Sequence, residues 1–594
     1  MLRNRIIHFI VCLFGCLIAG MAQSPVQDTV DKVYVVHADL FRFERFDGKE
    51  FQYLSDNVIV KHNKLFLLCD SAVIEGKKVR AIGNVRIVES DSLQIFGDTL
   101  DYDGNIQKAD FIGNVILKHK EKTLFTNNLN YDLKTRIASY YTSAQLFAQG
   151  VNLKSRRGYY FAKQEQAFFK DSVIVLMDRG MTLFADSLVY DAKQERVRFT
   201  GPTSIQENDL EIYTEKGYHD VKTENSYFGN YPRYRRGSQM AEAENIYYNS
   251  KEGTIGLKTN AWIRDSLKEA RGDSIHFNEK TNWVYLYKDA FYKEGDRTLK
   301  GDEIKFNRST QALEVSGRTD VTEGARTITG NQLLYSGDSD QGKAVGNVIV
   351  RDSSAGYSIY CDTLFYNKKE QKFQAKGHRP YISTRLDNDT LFLAADSLYS
   401  EKIVRLQDTF QVLRAFSTVK IWSNRIQGLC DSLVYHGKDS MFSLMGTPVL
   451  WSDTTQFSGD TIDMFLAFKS IRQIQLYDNG FILNQSAKSL ENQIKGRNIT
   501  ADFVEKKLNE VLIKGNSESV YFIQDDSKAY IGSNYIQCSS MIMHFDSLEQ
   551  VNNIDFFTKP EGQMMPISKG KLKILEGYNP RDAERPKTFE EIIE

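Results

Sequence analysis

The 594-residue sequence is poor in proline and has no excess charge of either sign. Of its nine prolines, only four fall between residues 30 and 556. Because proline cannot donate a hydrogen bond to a β-ladder, this scarcity leaves room for long uninterrupted strands. The 76 Lys and Arg residues are balanced by 77 Asp and Glu residues, so the basic surface typical of nucleic-acid-binding proteins is missing. The composition therefore argues against a nucleic-acid partner.

Recognisable motifs of catalysis and of metal binding are also missing. The nine histidines are scattered and form no His-x-His or His-Glu-x-x-His pair, so no zinc site is predicted. The chain has no Gly-x-Ser-x-Gly elbow, no Walker-type phosphate loop and no dinucleotide-binding fingerprint that follows a strand. We therefore predict no catalytic residue, metal or cofactor, and expect that the protein is not an enzyme.

Long apolar runs are absent except at the N-terminus. Two arginines precede apolar residues 6–19, and Gly20-Met21-Ala22 supplies the small residues that a signal peptidase needs. We predict a cleaved signal peptide over residues 1–22 and hence an exported protein. The alternatives are a membrane anchor, for which about 14 apolar residues fall short of the roughly 20 that span a bilayer, and a lipoprotein modified at Cys16.

A repeated motif occupies most of the remaining chain. A small residue, an acidic or amide residue and often a hydroxyl residue precede an apolar-x-aromatic pair, as in Gly97-Asp98-Thr99-Leu100-Asp101-Tyr102. The acidic or amide position, called the anchor below, recurs every 28 to 31 residues up to Asp362 and every 29 to 42 residues after it. We place anchors at Asp39, Asp70, Asp98, Asn127, Arg156, Asp186, Glu215, Glu244, Asp273, Asp302, Asn331, Asp362, Asp396, Asp431, Asp460, Arg497 and Ser539.

A second signature, Gly-Asn-Val, lies between anchors. It occurs at Gly83-Asn84-Val85, Gly113-Asn114-Val115 and Gly346-Asn347-Val348. Glycine and asparagine tolerate positive φ angles, so the triplet predicts a sharp turn that opens a strand. Each repeat is then expected to contribute about two strands, one to each of two facing sheets.

The predicted fold is all-β: an elongated β-jellyroll or solenoid of about 17 repeats of about 29 residues. We divide it into an N-terminal part, residues 30–237, and a C-terminal part, residues 238–556. Residues 557–594 hold four of the nine prolines, and we expect a loosely ordered tail there.

Positions two and four residues after the anchor form a nearly unbroken apolar column. Residues two apart in a strand share a face, so the column must face something apolar. Periodicity alone leaves two interpretations open: a closed core, or a groove that accepts an apolar ligand. The groove candidates are Leu100, Tyr102, Leu129, Tyr131, Leu188, Tyr190, Ile246, Tyr248, Ile275, Phe277, Ile304, Phe306, Leu333, Tyr335, Leu364, Tyr366, Leu433 and Tyr435.

One compact cluster combines basic and aromatic residues. Arg233, Arg235 and Arg236 alternate with tyrosines, and because arginine forks suit phosphate groups we take the three as candidates for phosphate contacts. A solvated loop between two repeats is the more frequent explanation of such a cluster.

The remaining polar and sulfur-containing positions receive structural interpretations. The acidic anchors are expected to cap turns rather than to form a cation-binding ladder. Cys69, Cys361, Cys430 and Cys538 each precede an anchor, where other repeats have Gly or Ala. We predict small buried residues with free thiols, because this register brings no two of them close enough for a disulfide.

The signal peptide, the small-Asp-Ser/Thr-Leu-x-Tyr strand and the Gly-Asn-Val turn together resemble the OstA/LptA family of lipopolysaccharide-transport proteins. The stretch from His37-Ala38-Asp39 through Cys69-Asp70-Ser71-Ala72 is similar to the long OstA-like members of the Bacteroidetes type. The resemblance covers about residues 33–556. We expect the chain to lack the transmembrane barrel of the family member LptD, because the repeats leave no room for it.

This resemblance implies a periplasmic β-jellyroll, open like a folded taco, that serves outer-membrane biogenesis and can associate with the outer membrane. Its apolar interior would shield the acyl chains of lipid A. The resemblance also implies pairing of edge strands with other lipopolysaccharide-transport components and head-to-tail self-association.

Two other functions stay open. A non-enzymatic scaffold of the cell envelope would use the same fold to bind proteins along its length. A secreted carbohydrate-active β-helix would need a pair of carboxylates at catalytic separation, and the sequence shows repeated acids without a singular cluster.

Overall fold

The computed structural model describes residues 31–90, 92–178, 180–386, 388–405, 408–525, 527–546 and 550–594. The signal peptide predicted over residues 1–22 lies outside them. Strands make up 73% of these described residues and helices 2%, which confirms the all-β prediction. Two compact units are present, unit 1 up to Lys193 and unit 2 from Gln194 to Glu594, whereas the sequence placed a subdivision after residue 237.

The strands of unit 1 are β1 (Val33–His37), β2 (Leu40–Phe46), β3 (Lys49–His62), β4 (Leu65–Glu75), β5 (Lys78–Ser90), β6 (Leu93–Asp103), β7 (Lys108–His119), β8 (Lys122–Asp132), β9 (Ile137–Tyr140), β10 (Ala144–Ala148), β11 (Val151–Ser155), β12 (Arg157–Phe161), β13 (Gln166–Met177) and β14 (Thr182–Asp191).

Unit 2 begins with β15 (Arg196–Phe199), β16 (Thr203–Glu207), β17 (Leu210–Thr214), β18 (Lys216–Asp220), β19 (Asn225–Gly229), β20 (Arg233–Arg236), β21 (Gln239–Glu242), β22 (Asn245–Asn249), β23 (Thr254–Asp265), β24 (Lys268–Asn278), β25 (Trp283–Glu294), β26 (Arg297–Asn307), β27 (Leu313–Glu323), β28 (Arg326–Ser336), β29 (Gln341–Asp352), β30 (Tyr357–Asn367) and β31 (Lys372–Lys376).

Unit 2 continues with β32 (Tyr381–Leu386), β33 (Asp389–Ala394), β34 (Ser397–Arg405), β35 (Asp408–Trp422), β36 (Ile426–His436), β37 (Met441–Met445), β38 (Val449–Ser452), β39 (Thr455–Ser458), β40 (Thr461–Ala467), β41 (Ser470–Ala487), β42 (Leu490–Val504), β43 (Lys507–Gln524), β44 (Tyr530–Phe545), β45 (Val551–Phe557) and β46 (Glu561–Met565). Two helices, α1 (Ile567–Gly570) and α2 (Glu590–Ile593), and a 3-10 turn (Asp582–Glu584) follow. Among the described residues, no helix has the length and apolar character needed to cross a membrane.

Consecutive strands pair antiparallel in a meander, and the long strands bend near their middle. From β3 to β8 each strand pairs with the next, and each pairing has one register shift near its centre. Each long strand therefore has two halves, one in each half of a folded sheet. Where the bend interrupts the ladder, the halves are separate strands, as in β9 and β10. The sequence assigned one strand to each sheet, whereas each long strand contributes to both.

The Gly-Asn-Val triplet produces the bend. Gly83 has φ of 80° and Asn84 has φ of 46°. We predicted that this pair would lie at the start of a strand, but it lies in the middle of β5. Two consecutive left-handed residues form a bulge that redirects the strand. Asn84 Nδ2 donates a hydrogen bond of 2.9 Å to Oδ2 of the anchor Asp70 on β4. The anchor thus caps the bend of the neighbouring strand.

The core lies between the two halves of the folded sheet. In β5, Val79 and Ala81 from one half and Val85 and Ile87 from the other are at most 2% exposed. Each half buries only one face, because side chains alternate along a strand. Burial of these apolar side chains between the halves supplies the main favourable term for this fold.

The C-terminal segment packs on unit 2, in contrast to the loosely ordered tail expected from its prolines. Leu575 is 3% exposed and joins a cluster that includes Phe481 and Phe522. Ile592 is fully buried, and the Phe589 ring lies 4.4 Å from the Phe392 ring. Proline removes backbone donors from this segment, but its apolar side chains still find a binding surface on the sheet.

Candidate functional site

The predicted apolar column lies on the inner side of the folded sheet. Its nine aliphatic members are at most 2% exposed: Leu100, Leu129, Leu188, Ile246, Ile275, Ile304, Leu333, Leu364 and Leu433. Its aromatic members divide into two groups. Tyr102, Tyr131, Tyr190 and Tyr248 are buried, whereas Phe277, Phe306, Tyr335, Tyr366 and Tyr435 are half-buried. The interior is therefore tightly filled up to about residue 250 and more accessible beyond it.

Buried hydroxyl groups connect the two half-sheets at the ends of their strands. We call the opening between these strand ends, opposite the bends, the seam. The Tyr131 hydroxyl donates to Glu89 Oε2 at 2.6 Å, and the Tyr248 hydroxyl donates to Glu207 Oε2 at 3.2 Å. In each pair the tyrosine ends one half-sheet and the glutamate ends the other.

Two histidines complete this set, which we call the seam bonds. His62 Nδ1 lies 2.5 Å from the Tyr102 hydroxyl, and His119 Nδ1 lies 2.5 Å from the Tyr160 hydroxyl. His62 Nε2 also lies 2.7 Å from Asp31 Oδ1, and a proton on Nε2 would leave Nδ1 to accept from the tyrosine. Burial is the main cause that raises the pKa of Tyr102 to about 12, so its hydroxyl stays protonated and can donate.

A cavity of about 560 Å³ opens in unit 2. Most of its lining side chains are apolar and come from facing halves of the sheet: Tyr357, Phe373, Ile382, Leu386, Leu391, Leu393, Phe410, Leu413, Tyr435, Phe442 and Leu466. Three basic side chains, Arg385, Lys438 and Lys469, also line it, and all three are exposed. The cavity combines an apolar interior with a cationic mouth, and its volume falls in the range of small-molecule sites.

Of the predicted groove residues, only Tyr435 lines this cavity. The sequence does carry a signal for its position, because the anchor spacing lengthens to 34 residues between Asp362 and Asp396 and to 35 between Asp396 and Asp431. In the second interval the extra residues lengthen the hairpin of β34 and β35, and in the first they lie at the bend before β32 and in the hairpin of β32 and β33. The motif search missed the cavity because most lining residues lie outside the column.

The arginine cluster is divided by strand alternation. Arg233 and Arg235 lie on the exposed face of β20, and the Arg233 guanidinium lies 5.6 Å from the centre of the Tyr213 ring. Arg236 points to the opposite face and forms an ion pair with Glu279. The positive charge of Arg236 is therefore partly neutralised, whereas Arg233 and Arg235 face outward.

The acidic anchors and the cysteines have structural surroundings. Asp98 accepts a hydrogen bond of 2.8 Å from Asn114 Nδ2, which repeats the arrangement at Asp70. The cysteine thiols are free, three of them buried and Cys538 half-buried, and burial raises the pKa of Cys361 to about 12. Within the described part of the chain, no group of three or more His, Cys, Asp or Glu side chains could hold a metal ion.

The N-terminal edge of unit 1 exposes apolar side chains. Strands β1 and β2 both pair with β3. On β2, Leu40, Phe41, Phe43 and Phe46 are 51% to 76% exposed. An exposed edge strand with apolar side chains is suited to pairing with another chain.

Two models of known protein families match parts of the chain. A family model described as OstA-like protein matches residues 30–179, and one described as LptA/(LptD N-terminal domain) LPS transport protein matches residues 152–283. No curated protein matches the chain. The matched residues contain all four seam bonds, while the cavity of unit 2 lies beyond them. The repeated motif and these two matches support an OstA/LptA-like family of lipopolysaccharide-transport proteins for this chain, with the matches covering residues 30–283.

Proposed function

We propose that this protein is a non-enzymatic periplasmic carrier that binds lipopolysaccharide and shields its acyl chains on the way to the outer membrane. The observation that carries the proposal is the cavity of unit 2. Its apolar lining would receive acyl chains, and transfer of each methylene group from water to such a site is favourable by about 0.8 kcal/mol. The column residues of unit 2 would extend this apolar surface.

The charges at the mouth of the cavity fit an anionic lipid. Arg385, Lys438 and Lys469 are exposed beside an apolar lining, and cationic side chains form strong charge-assisted hydrogen bonds with phosphate oxygens. We assign these three to the phosphates of lipid A. Arg233 and Arg235 are further candidates for phosphate contacts, because both face outward.

Pairing with other transport components would use the edges of the sheet. The apolar side chains of β2 support this role at the N-terminal edge. At the other end of the chain, β45 and β46 both pair with β44 and supply a second edge. Addition of a strand at such an edge gains backbone hydrogen bonds, so we propose partner binding or head-to-tail self-association there.

The experiment that tests the carrier function is photo-crosslinking in a host that makes lipopolysaccharide. A photoreactive residue replaces Leu393 in the cavity, Leu188 in the interior of unit 1, or Lys193 on the surface as the control. We expect a lipopolysaccharide adduct at Leu393 and none at Lys193, with co-purified lipid seen by native mass spectrometry. A folded protein with no adduct and no lipid would instead favour the envelope scaffold.

A further inference from the structure

The four seam bonds recur with a regular spacing. Their partners lie 40 residues apart for His62 and Tyr102 and 42 residues apart for Glu89 and Tyr131. The pairs His119–Tyr160 and Glu207–Tyr248 are both 41 residues apart. Each bond therefore joins one half-sheet to the other with nearly the same offset along the meander.

The interior behind these bonds has no room for a lipid as long as the seam is shut. Tyr131 and Leu100 are fully buried, and Leu129 is 2% exposed. Acyl chains could enter this part of the sheet only if the two halves moved apart. The bends of β5 and β7 opposite the seam are suited to such a motion, because each is a short segment with glycine and asparagine at positive φ.

We propose that the three seam bonds of unit 1, His62–Tyr102, Glu89–Tyr131 and His119–Tyr160, form a lateral gate. The gate opens to admit acyl chains between the half-sheets of unit 1, and its hydroxyl groups set how readily it opens. This inference rests on the proposed carrier function. A single buried hydrogen bond contributes little net stability, so a few of them can hold the seam shut and still be offset by the burial of several methylene groups.

The same column changes character where the interior becomes accessible. Phe277 and Phe306 occupy the hydroxyl-bearing position of the motif and cannot form such a bond. The Tyr335 hydroxyl donates to Asp340 within its own hairpin at 2.8 Å. Tyrosine hydroxyls thus bond across the seam where the interior is tightly filled. Where the interior is more accessible, phenylalanine replaces the tyrosine or the tyrosine bonds within its own hairpin.

The gate is tested with a variant that loses two seam bonds, Tyr131→Phe combined with Tyr160→Phe. Glu89 keeps an ion pair with Arg136 at 2.8 Å, so the first substitution leaves no unpaired carboxylate. This ion pair and those of Glu165 with Lys120 and Lys122 also cross the seam, and they are the same in the wild type, the double variant and the control, so the comparison isolates the hydroxyl groups. The matched control is Tyr140→Phe. The Tyr140 hydroxyl is 2.6 Å from Ser155 Oγ, and both residues lie beside the bend rather than at the seam.

Spin labels at Glu121 and Gln164 report the seam width by pulsed electron resonance, because both residues are exposed and flank the His119–Tyr160 bond. The full chain without its first 22 residues is used, with Cys538→Ser as background. We expect the double variant to broaden the distance distribution towards longer values without lipid, and the control to leave it unchanged. Added lipopolysaccharide should lengthen the wild-type distance.

The rate at which fluorophore-labelled lipopolysaccharide binds gives the functional readout. We expect the double variant to load about tenfold faster, as the loss of two modest bonds allows, and Tyr140→Phe to load like the wild type. Bound lipid with an unchanged label distance, or equal effects of the double variant and the control, would overturn the gate and leave the carrier function intact. A wild type that binds no lipopolysaccharide would instead overturn the carrier function, and the lipid-free distances would still decide whether the hydroxyls hold the seam.

Discussion

The carboxylate of Asp70 lies directly over Gly83 on the neighbouring strand. A Cβ atom at Gly83 would come within 2.3 Å of Asp70 Oδ2, and the same relationship holds between Asp98 and Gly113 at 2.4 Å. The anchor acid and the Gly-Asn turn, two signatures that the sequence shows separately, are therefore the two sides of one bend.

Substitution of Gly83 by alanine should destabilise this bend strongly. Gly83→Ala adds both a left-handed strain, about 1–2 kcal/mol for a residue with a Cβ atom, and a collision with Asp70. Gly76→Ala is the matched control, because Gly76 also has positive φ but nothing lies within 4 Å of its Cβ position. Hydrogen exchange of residues 65–88 in the full chain measures the effect. Equal acceleration in both variants would show that the collision contributes nothing.

The sequence predicted the strand content, the repeat and the inner column, because alternation and recurrence follow directly from the geometry of a strand. It did not predict that the bend lies inside a strand, because a Gly-Asn pair is common both in turns between strands and in bulges within a strand. It also missed the seam bonds. Their partners, such as His62 and Tyr102, are 40 residues apart, so they meet only through the stacking of several strands.

Neutralising the cavity mouth should weaken lipopolysaccharide binding. We expect the combination Arg385→Gln, Lys438→Gln and Lys469→Gln to reduce affinity by at least about tenfold, because charge-assisted hydrogen bonds contribute about 1.5–3 kcal/mol each. The salt dependence of binding should become weaker as well. Isothermal titration with purified lipopolysaccharide gives both quantities.

The matched control for that triple variant changes three exposed lysines elsewhere in unit 2: Lys222, Lys251 and Lys369. Their conversion to glutamine removes the same net charge and should leave affinity nearly unchanged. A similar loss in both triple variants would mean that net charge, and not the cavity mouth, attracts the lipid.

Acidification should destabilise unit 2 through His219. The ring is 5% exposed and lies 2.9 Å from Ser226 Oγ, and burial lowers its pKa from 6.5 to about 4. Because the folded state resists protonation, this stability is complete above about pH 6.5 and declines as the pH falls towards about 4. The full effect is about 3 kcal/mol.

His219→Gln removes this titration and keeps a polar group near Ser226. The free energy of unfolding of unit 2 is measured in urea, with hydrogen exchange as the probe, at several pH values between 7 and 4. It should therefore depend less on pH in the variant than in the wild type. His378→Gln, at an exposed position, is the control and should keep the wild-type slope. If His219→Gln kept that slope too, another group would be responsible.

Charge on the N-terminal edge should reduce association. Phe41 and Phe43 are 58% and 51% exposed on β2, and lysine at both positions opposes edge pairing. We expect sedimentation velocity to show a smaller concentration-dependent increase in size for Phe41→Lys with Phe43→Lys. Phe468→Lys, at a fully exposed turn of unit 2, should behave like the wild type. Identical sedimentation of all three proteins would argue against this edge as the contact.

The C-terminal segment should detach from unit 2 when its aromatic anchor is removed. Phe589 packs on Phe392 and Tyr381, with ring centres at 4.4 Å and 5.2 Å, and Arg379 Nε donates to the carbonyl oxygen of Ile592 at 2.7 Å. The Phe589 ring is half-buried, so its loss costs less than that of a fully buried phenyl group, which is about 3–5 kcal/mol. We still expect the end of the chain to loosen, because the Arg379 hydrogen bond then holds it without the ring contacts.

Phe589→Ala should therefore speed hydrogen exchange in residues 586–594 and in β33, while β41 to β43 keep their protection because Leu575 holds the earlier part of the segment in its own cluster. Leu572→Ala is the control, since that side chain is 82% exposed. Faster exchange over the whole segment from residue 566 would mean that the two contacts are cooperative. Unchanged exchange around Phe589 would mean that backbone hydrogen bonds, rather than the aromatic contact, hold the end of the chain.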